Sequence, residues 1–218
     1  MHRRMVLAGM MLLAEAGLQA RPPGSPRVVN VNVWVDLESG VTISGTVLSM
    51  AQSRATDLLA DGGVHLEWHA GKAPESGELS PTIRIVFLRA TPASFRDPPF
   101  ANALAAARPF DSAHHIMVFY DRVTLYLSSM GMSASWNVLG HILAHEIVHS
   151  LEGVNRHSSS GLMTASWGWR EMKQITGGGL YLAHEDRDLL HIFLQPRKPR
   201  PPDGKLRTGI LFVPQAGR

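Results

Sequence analysis

The chain has no cysteine, which excludes disulfides and the thiolate sites that usually hold structural zinc. Charge is also scarce: Asp, Glu, Lys and Arg make up 18% of the 218 residues, against 44% hydrophobic residues. That balance excludes wholesale disorder and supplies one domain with a core. The formal net charge is only +3, and it is unevenly placed. From residue 196 onward Arg197, Lys198, Arg200, Lys205, Arg207 and Arg218 face Asp203 alone, and the remainder is slightly acidic. The pI near 9.6 therefore reflects a basic tail, not a basic face, which argues against nucleic-acid binding. No stretch approaches the ~20 apolar residues that cross a bilayer. There is no internal repeat, phosphate loop, dinucleotide fingerprint or Ser/His/Asp arrangement.

The first 20 residues read as a secretory signal. His2, Arg3 and Arg4 form a basic start, residues 5–14 an apolar core, and Leu18-Gln19-Ala20 a small-residue cleavage site, with Ala14-Glu15-Ala16 as an alternative. The expected location is extracellular or periplasmic, and the lack of cysteine is compatible with export. Residues 21–195 then form the domain, and the basic, proline-rich residues 196–218 a tail that is extended or disordered.

What the chain does contain is His145-Glu146-Ile147-Val148-His149, followed by Gly153, His157 and Gly161-Leu162-Met163. Apolar residues at 138, 139, 142, 143, 147 and 148 recur with helical period, so the two histidines lie on a helix. Ser133 or Ser135 can cap its start. Histidines at i and i+4 sit about 40° apart around the axis and ~6 Å along it, within reach of one small cation. Glu146 falls beside the metal without being needed as a ligand, the place for a base that deprotonates water. Gly153 stops the helix and turns the chain away. His157 follows on an irregular segment and can fold back as a third nitrogen. Three protein ligands and one open position make a catalytic zinc site rather than a structural one.

At these residues the chain resembles the metzincin clan of zinc peptidases, whose motif is H-E-x-x-H-x-x-G-x-x-H followed by a methionine turn beneath the metal. His145, Glu146 and His149 match directly, and Gly161-Leu162-Met163 looks like the turn. The spacing after His149 departs from that pattern: Gly153 is four and His157 eight residues on, and the metzincin positions hold Glu152 and Asn155. The longer form resembles a group of small secreted bacterial proteins over most of the mature chain. Some members of the clan carry a tyrosine two residues after the methionine that assists the transition state; position 165 here is Ala165. The third ligand has a rival of another type, a carboxylate from a later helix. Glu185 is the best such candidate, with Glu171 behind it.

Along the chain, strands are expected at 28–37, 64–69, 83–89 and 115–120, and helices at 44–60, 123–130, 136–151, 169–175 and 183–194. The proline-rich residues 91–110 read as a long loop with a short helix at 102–107. The resemblance implies an α+β, metzincin-like domain: a small mixed, twisted sheet packed with the metal helix, then a small helical C-terminal subdomain. It also implies that the last strand before the metal helix, about 116–120, is an edge along which an extended peptide lies. An exposed edge can bind a peptide backbone by main-chain pairing.

Other histidines read more plainly. His141 extends the i, i+4 series and is expected to pack or support the site. His65 and His69 flank Glu67 in a strand and could hold a second metal, with solvent exposure preferred. His114 and His115 border the cleft or a turn. Met163 forms an apolar floor, and Trp167 and Trp169 pack or line a pocket. The reading is a secreted, monomeric zinc metalloendopeptidase acting on peptides or proteins, with His145, His149 and His157 binding Zn2+ and Glu146 activating water. Its rival is a non-catalytic metal- or peptide-binding domain on the same scaffold.

Overall fold

Alternation builds the sheet. In β1 (Val29–Leu37), Val31, Val33 and Val35 are buried while their neighbours are half-buried or exposed, the period-two pattern of a strand with one face on a core. A computed structural model describes residues 28–74, 81–108, 114–129 and 135–195, and the backbone of 209–212. The expected signal at residues 1–20, the candidate cap Ser133 and most of the expected tail lie outside the described residues.

After β1 come α1 (Gly45–Ala60), β2 (Val64–Ala70), β3 (Thr82–Leu88), β4 (Ala103–Arg108), β5 (His115–Phe119), α2 (Tyr120–Ser129) and α3 (Ser135–Glu152). Then follow α4 (Trp169–Gly177), α5 (His184–Phe193) and β6 (Gly209–Phe212). The sheet order is β2-β1-β3-β5-β4-β6. β1 is parallel to β2 and β3, and β3 to β5, while β4 is antiparallel to both β5 and β6. This is a mixed α/β fold, with the metal-motif helix packed against the sheet and two helices after it. Among the described residues no helix is long and apolar enough to cross a membrane.

Two expectations fail here. Residues 103–108 form a strand rather than a helix. Their backbone pairs on both sides, and the alanines Ala103, Ala105, Ala106 and Ala107 are all fully buried. Alanine's high helix propensity is overridden by tertiary pairing. Consequently β5 is an interior strand, not an edge. The strand beyond it is β4, and β4's outer side is taken by 209–212, part of the tail expected to be extended or disordered.

Helix α3 is the centre of the molecule. Of its 18 residues, 15 are buried, so it is enclosed all round, where its sequence predicted only a buried stripe. Its contact with α1 is close: a side chain at Gly140 would meet Ala51 O at 2.8 Å and Arg54 Cβ at 2.7 Å. Ala51 and Ala55 are themselves buried on α1. Enclosure carries a chemical consequence, because the buried residues include Asn137, His141, His145, Glu146, His149 and Glu152. Buried polar groups destabilise a fold unless they are partnered.

Candidate metal centre

The polar row on α3 is satisfied from the segments that follow the helix. Asn137 donates from Nδ2 to Ile175 O at 2.6 Å. His141 donates from Nδ1 to Asn137 O at 2.6 Å and accepts at Nε2 from Leu180 N at 3.0 Å. Both ring nitrogens are used, so His141 is a structural tie, as its place in the series predicted. Burial pushes its pKa down to about 4, which keeps the ring neutral as this bonding requires.

One turn further, His145 donates from Nδ1 to Leu162 O at 2.8 Å. After another turn, His149 donates from Nδ1 to Val154 O at 3.2 Å. Both carbonyls are delivered by turns. Gly153, at φ 64, redirects the chain after the helix so that Val154 reaches back. Gly161, at φ 80, is held tightly: a Cβ there would lie 2.5 Å from Tyr181 O, and the adjacent Leu162 N donates to that same oxygen at 2.8 Å. The Gly161-Leu162-Met163 turn therefore does more than lay an apolar floor, because its carbonyl orients the first histidine. Met163 is fully buried, as expected. Trp167 is buried too and meets the His145 ring edge-on at 5.9 Å. Trp169, in contrast, is 74% exposed and stacks with Lys173.

With each Nδ1–H committed to a carbonyl, each Nε2 of His145 and His149 bears a lone pair and no proton. Yet these two atoms lie 3.0 Å apart, and His149 Nε2 lies 3.3 Å from His157 Nε2. A proton on His157 could serve one of those contacts but not the one between His145 and His149. Two acceptors facing each other at such a distance in a buried site call for a cation between them. Tetrahedral zinc with Zn–N bonds near 2.0–2.1 Å separates its nitrogens by about 3.3 Å, so this spacing fits. Desolvation holds His145 well below the ordinary imidazole range and His149 down to about 3. Both are neutral near pH 7, the state a metal requires.

His145, His149 and His157 form the one group of three or more potential metal-binding side chains among the described residues. The rival carboxylates are elsewhere. Glu185 is exposed and pairs with Arg156 at 3.8 Å. Glu171 accepts from Gly168 N at 2.9 Å, capping α4. Glu146 is fully buried on α3 beside His145 and is not a member of the histidine group. His65 and Glu67 are exposed, and His69 pairs with Asn32 at 3.0 Å while stacking on Trp34. His114 adopts φ 44 just before β5, which His115 begins.

One part of the centre has no signal in the motif. Asp186, fully buried on α5, accepts from Arg156 Nη2 and from Ser158 Oγ. Arg156 Nη1 also donates to Ser158 Oγ at 3.1 Å, and Ser158 N donates to Met163 O at 2.8 Å. The residues on both sides of His157 are thus fastened to one carboxylate. Glu152, also buried, faces Arg156 and Asp186, and burial raises its pKa to about 7. In sequence, Asp186 sits in the charged run His184-Glu185-Asp186-Arg187-Asp188, which reads as a solvated helix start.

No protein-family model and no curated protein sequence matches this chain. Among solved structures, the chain is similar to the crystal structure of archaemetzincin from Methanopyrus kandleri. The match is 12% identical, covers 81% of this chain and 100% of that one, and has a TM-score of 0.48.

Proposed function

We propose that this chain is an exported, metzincin-like zinc metallopeptidase that hydrolyses peptide bonds. The observation that carries the reading is the histidine cluster itself. Two Nε2 atoms deprived of protons by their own backbone hydrogen bonds are held 3.0 Å apart, with a third nitrogen 3.3 Å from one of them. His145, His149 and His157 would hold zinc. When bound, zinc supplies Lewis acidity that lowers the pKa of water toward 7 and polarises a carbonyl. The protein's own contribution is positional and protonic. Leu162 O and Val154 O hold the two helix imidazoles in the tautomer and orientation that present Nε2. The buried Trp167 ring, edge-on to His145, excludes bulk water from that side of the imidazole. Glu146, one residue from a ligand on a rigid helix, takes the proton of the attacking water on its carboxylate and returns it to the leaving amine.

The competing reading, a binding domain without turnover, has two observations in its favour: the longer spacing after His149, and Ala165 where some members of the clan carry an assisting tyrosine. Against it stands Glu146, because a metal site that only binds has no need of a carboxylate buried at that position. The two readings separate on one substitution. Glu146→Gln keeps shape and metal ligands while removing the base. Loss of peptide hydrolysis with zinc retained supports the enzyme. A zinc-loaded wild type that cleaves nothing in a diverse peptide library supports the binding domain.

A further inference from the structure

His157 differs from the other two histidines in how it is held. His145 and His149 project from a rigid buried helix, whereas His157 lies between α3 and α4 on a segment outside any helix. Its placement relies on what fastens its neighbours. Arg156 and Ser158 both donate to Oδ1 of Asp186, and Arg156 also donates to Ser158. Ser158 is tied a second time through its amide to Met163 O, and it forms a parallel bridge with Thr164. Asp186 is fully buried while the Arg156 side chain is 34% exposed, so the carboxylate is the fixed post and the arginine its outer strut. A charge-assisted hydrogen bond of this type is roughly twice as strong as a neutral one.

We propose that Asp186 is a positioning residue for the metal: it sets where His157 stands by clamping the residues on either side, and it acts on the metal through His157. The proposal rests on the reading of His157 as the third ligand. Its geometry explains how the longer spacing after His149 remains compatible with a preorganised site. The metzincin-like pattern delivers its last histidine six residues after the second. Here the histidine comes eight residues after, and a carboxylate from α5 anchors the segment that carries it. Second-layer groups of this kind typically alter metal affinity by about 10–100-fold.

The test is a double-mutant cycle read by zinc affinity, measured by competition with a chromophoric chelator, for wild type, Asp186→Asn, His157→Ala and the double variant. Asp186→Asn retains an acceptor for Ser158 and removes the charge that faces Arg156. In the wild-type background it should weaken zinc about 10–100-fold. In the His157→Ala background it should change affinity less than about twofold, since coupled residues fail to add. The visible spectrum of cobalt-loaded Asp186→Asn should shift toward that of His157→Ala, a change that lowered fold stability alone does not produce. Equal losses in both backgrounds, or unaltered affinity in folded Asp186→Asn, would overturn the proposal. If Asp186→Asn does not fold, Arg156→Met removes the partly exposed strut and enters the same cycle, with a severalfold loss expected only when His157 is present. If His157→Ala alone leaves affinity intact while His145→Ala abolishes binding, the ligand assignment fails and the proposal fails with it. None of these readouts uses peptide hydrolysis, so a protein that binds zinc and cleaves nothing would refute the enzyme reading and leave this one standing.

Discussion

Acidification of the metal-free protein should unfold it in a way that counts its buried imidazoles. His141, His145 and His149 are fully buried, and desolvation lowers the pKa of all three: to about 4 for His141, well below 6.5 for His145, and to about 3 for His149. The unfolded chain titrates near pH 6.5 at each. Below that pH the unfolded state binds protons that the folded state refuses, so stability is lost as pH falls, by ~1.4 kcal/mol per pH unit for each group. Glu152 runs the other way. Its folded pKa is about 7 against an ordinary 4.5, so its burial destabilises the fold above pH 4.5, and acidification from 7 to 4.5 relieves that cost. The losses at His141 and His149 against the gain at Glu152 leave a net slope of at least about 1.4 kcal/mol per pH unit between 6.5 and 4.5, and His145 acts in the same direction as the other two histidines. Over two units that is at least ~3 kcal/mol, a sizeable share of the ~5–15 kcal/mol that stabilises a typical domain. Urea midpoints followed by circular dichroism in the presence of a chelator, from pH 7.5 to 4.5, measure the slope. His141→Gln should lower it by ~1.4 kcal/mol per pH unit, because this residue carries one of the three titrations and both its ring nitrogens are used in backbone hydrogen bonds. A slope near zero across the window, or one that His141→Gln leaves unchanged, would refute the reasoning.

Three further outcomes follow from the geometry. His145→Ala or His149→Ala should abolish zinc binding and His157→Ala should weaken it strongly, whereas Glu185→Ala, at an exposed carboxylate, should leave metal content unchanged by elemental analysis. Gly161→Ala should destabilise the fold by at least ~2 kcal/mol, given its φ of 80 and the 2.5 Å approach to Tyr181 O. It should also loosen zinc through Leu162 and His145; an unchanged thermal midpoint contradicts the role given to the turn. Deleting residues 196–218 removes β6 and opens the outer edge of β4. Binding of an extended peptide, read by fluorescence anisotropy, should tighten severalfold through main-chain pairing; no change would place the peptide elsewhere.

How much of this was legible in the sequence depends on how local the signal is. Val31, Val33 and Val35 announce β1 by alternation alone. The His145–His149 spacing requires only a helix, and the chain supplies one. Gly153 and Gly161 mark turns that the structure uses to bring Val154 O and Leu162 O onto the histidines. Where pairing decides, local reading fails. Ala103–Ala107 has the composition of a helix and becomes a strand because β5 and β6 hold it from both sides. Misplacing β4 also put the sheet edge at the wrong strand. Asp186 was invisible for a related reason. A charged run at a helix start looks solvated, and only the fold shows that one of its carboxylates turns inward to Arg156 and Ser158. The outcome for Trp167 and Trp169, two residues apart and alike in sequence, is set by position: one lies under His145 and the other in solvent.

The most direct measurement of the central claim compares wild type with Glu146→Gln, both purified and assayed side by side for zinc content and peptide hydrolysis. Both proteins should carry about one zinc per chain, because Glu146 stands outside the histidine group. The variant's hydrolysis should fall by about 100-fold or more, the contribution of a positioned general base. Loss of zinc from Glu146→Gln would make this residue a ligand, and cleavage by the variant as fast as wild type would contradict its role as the base.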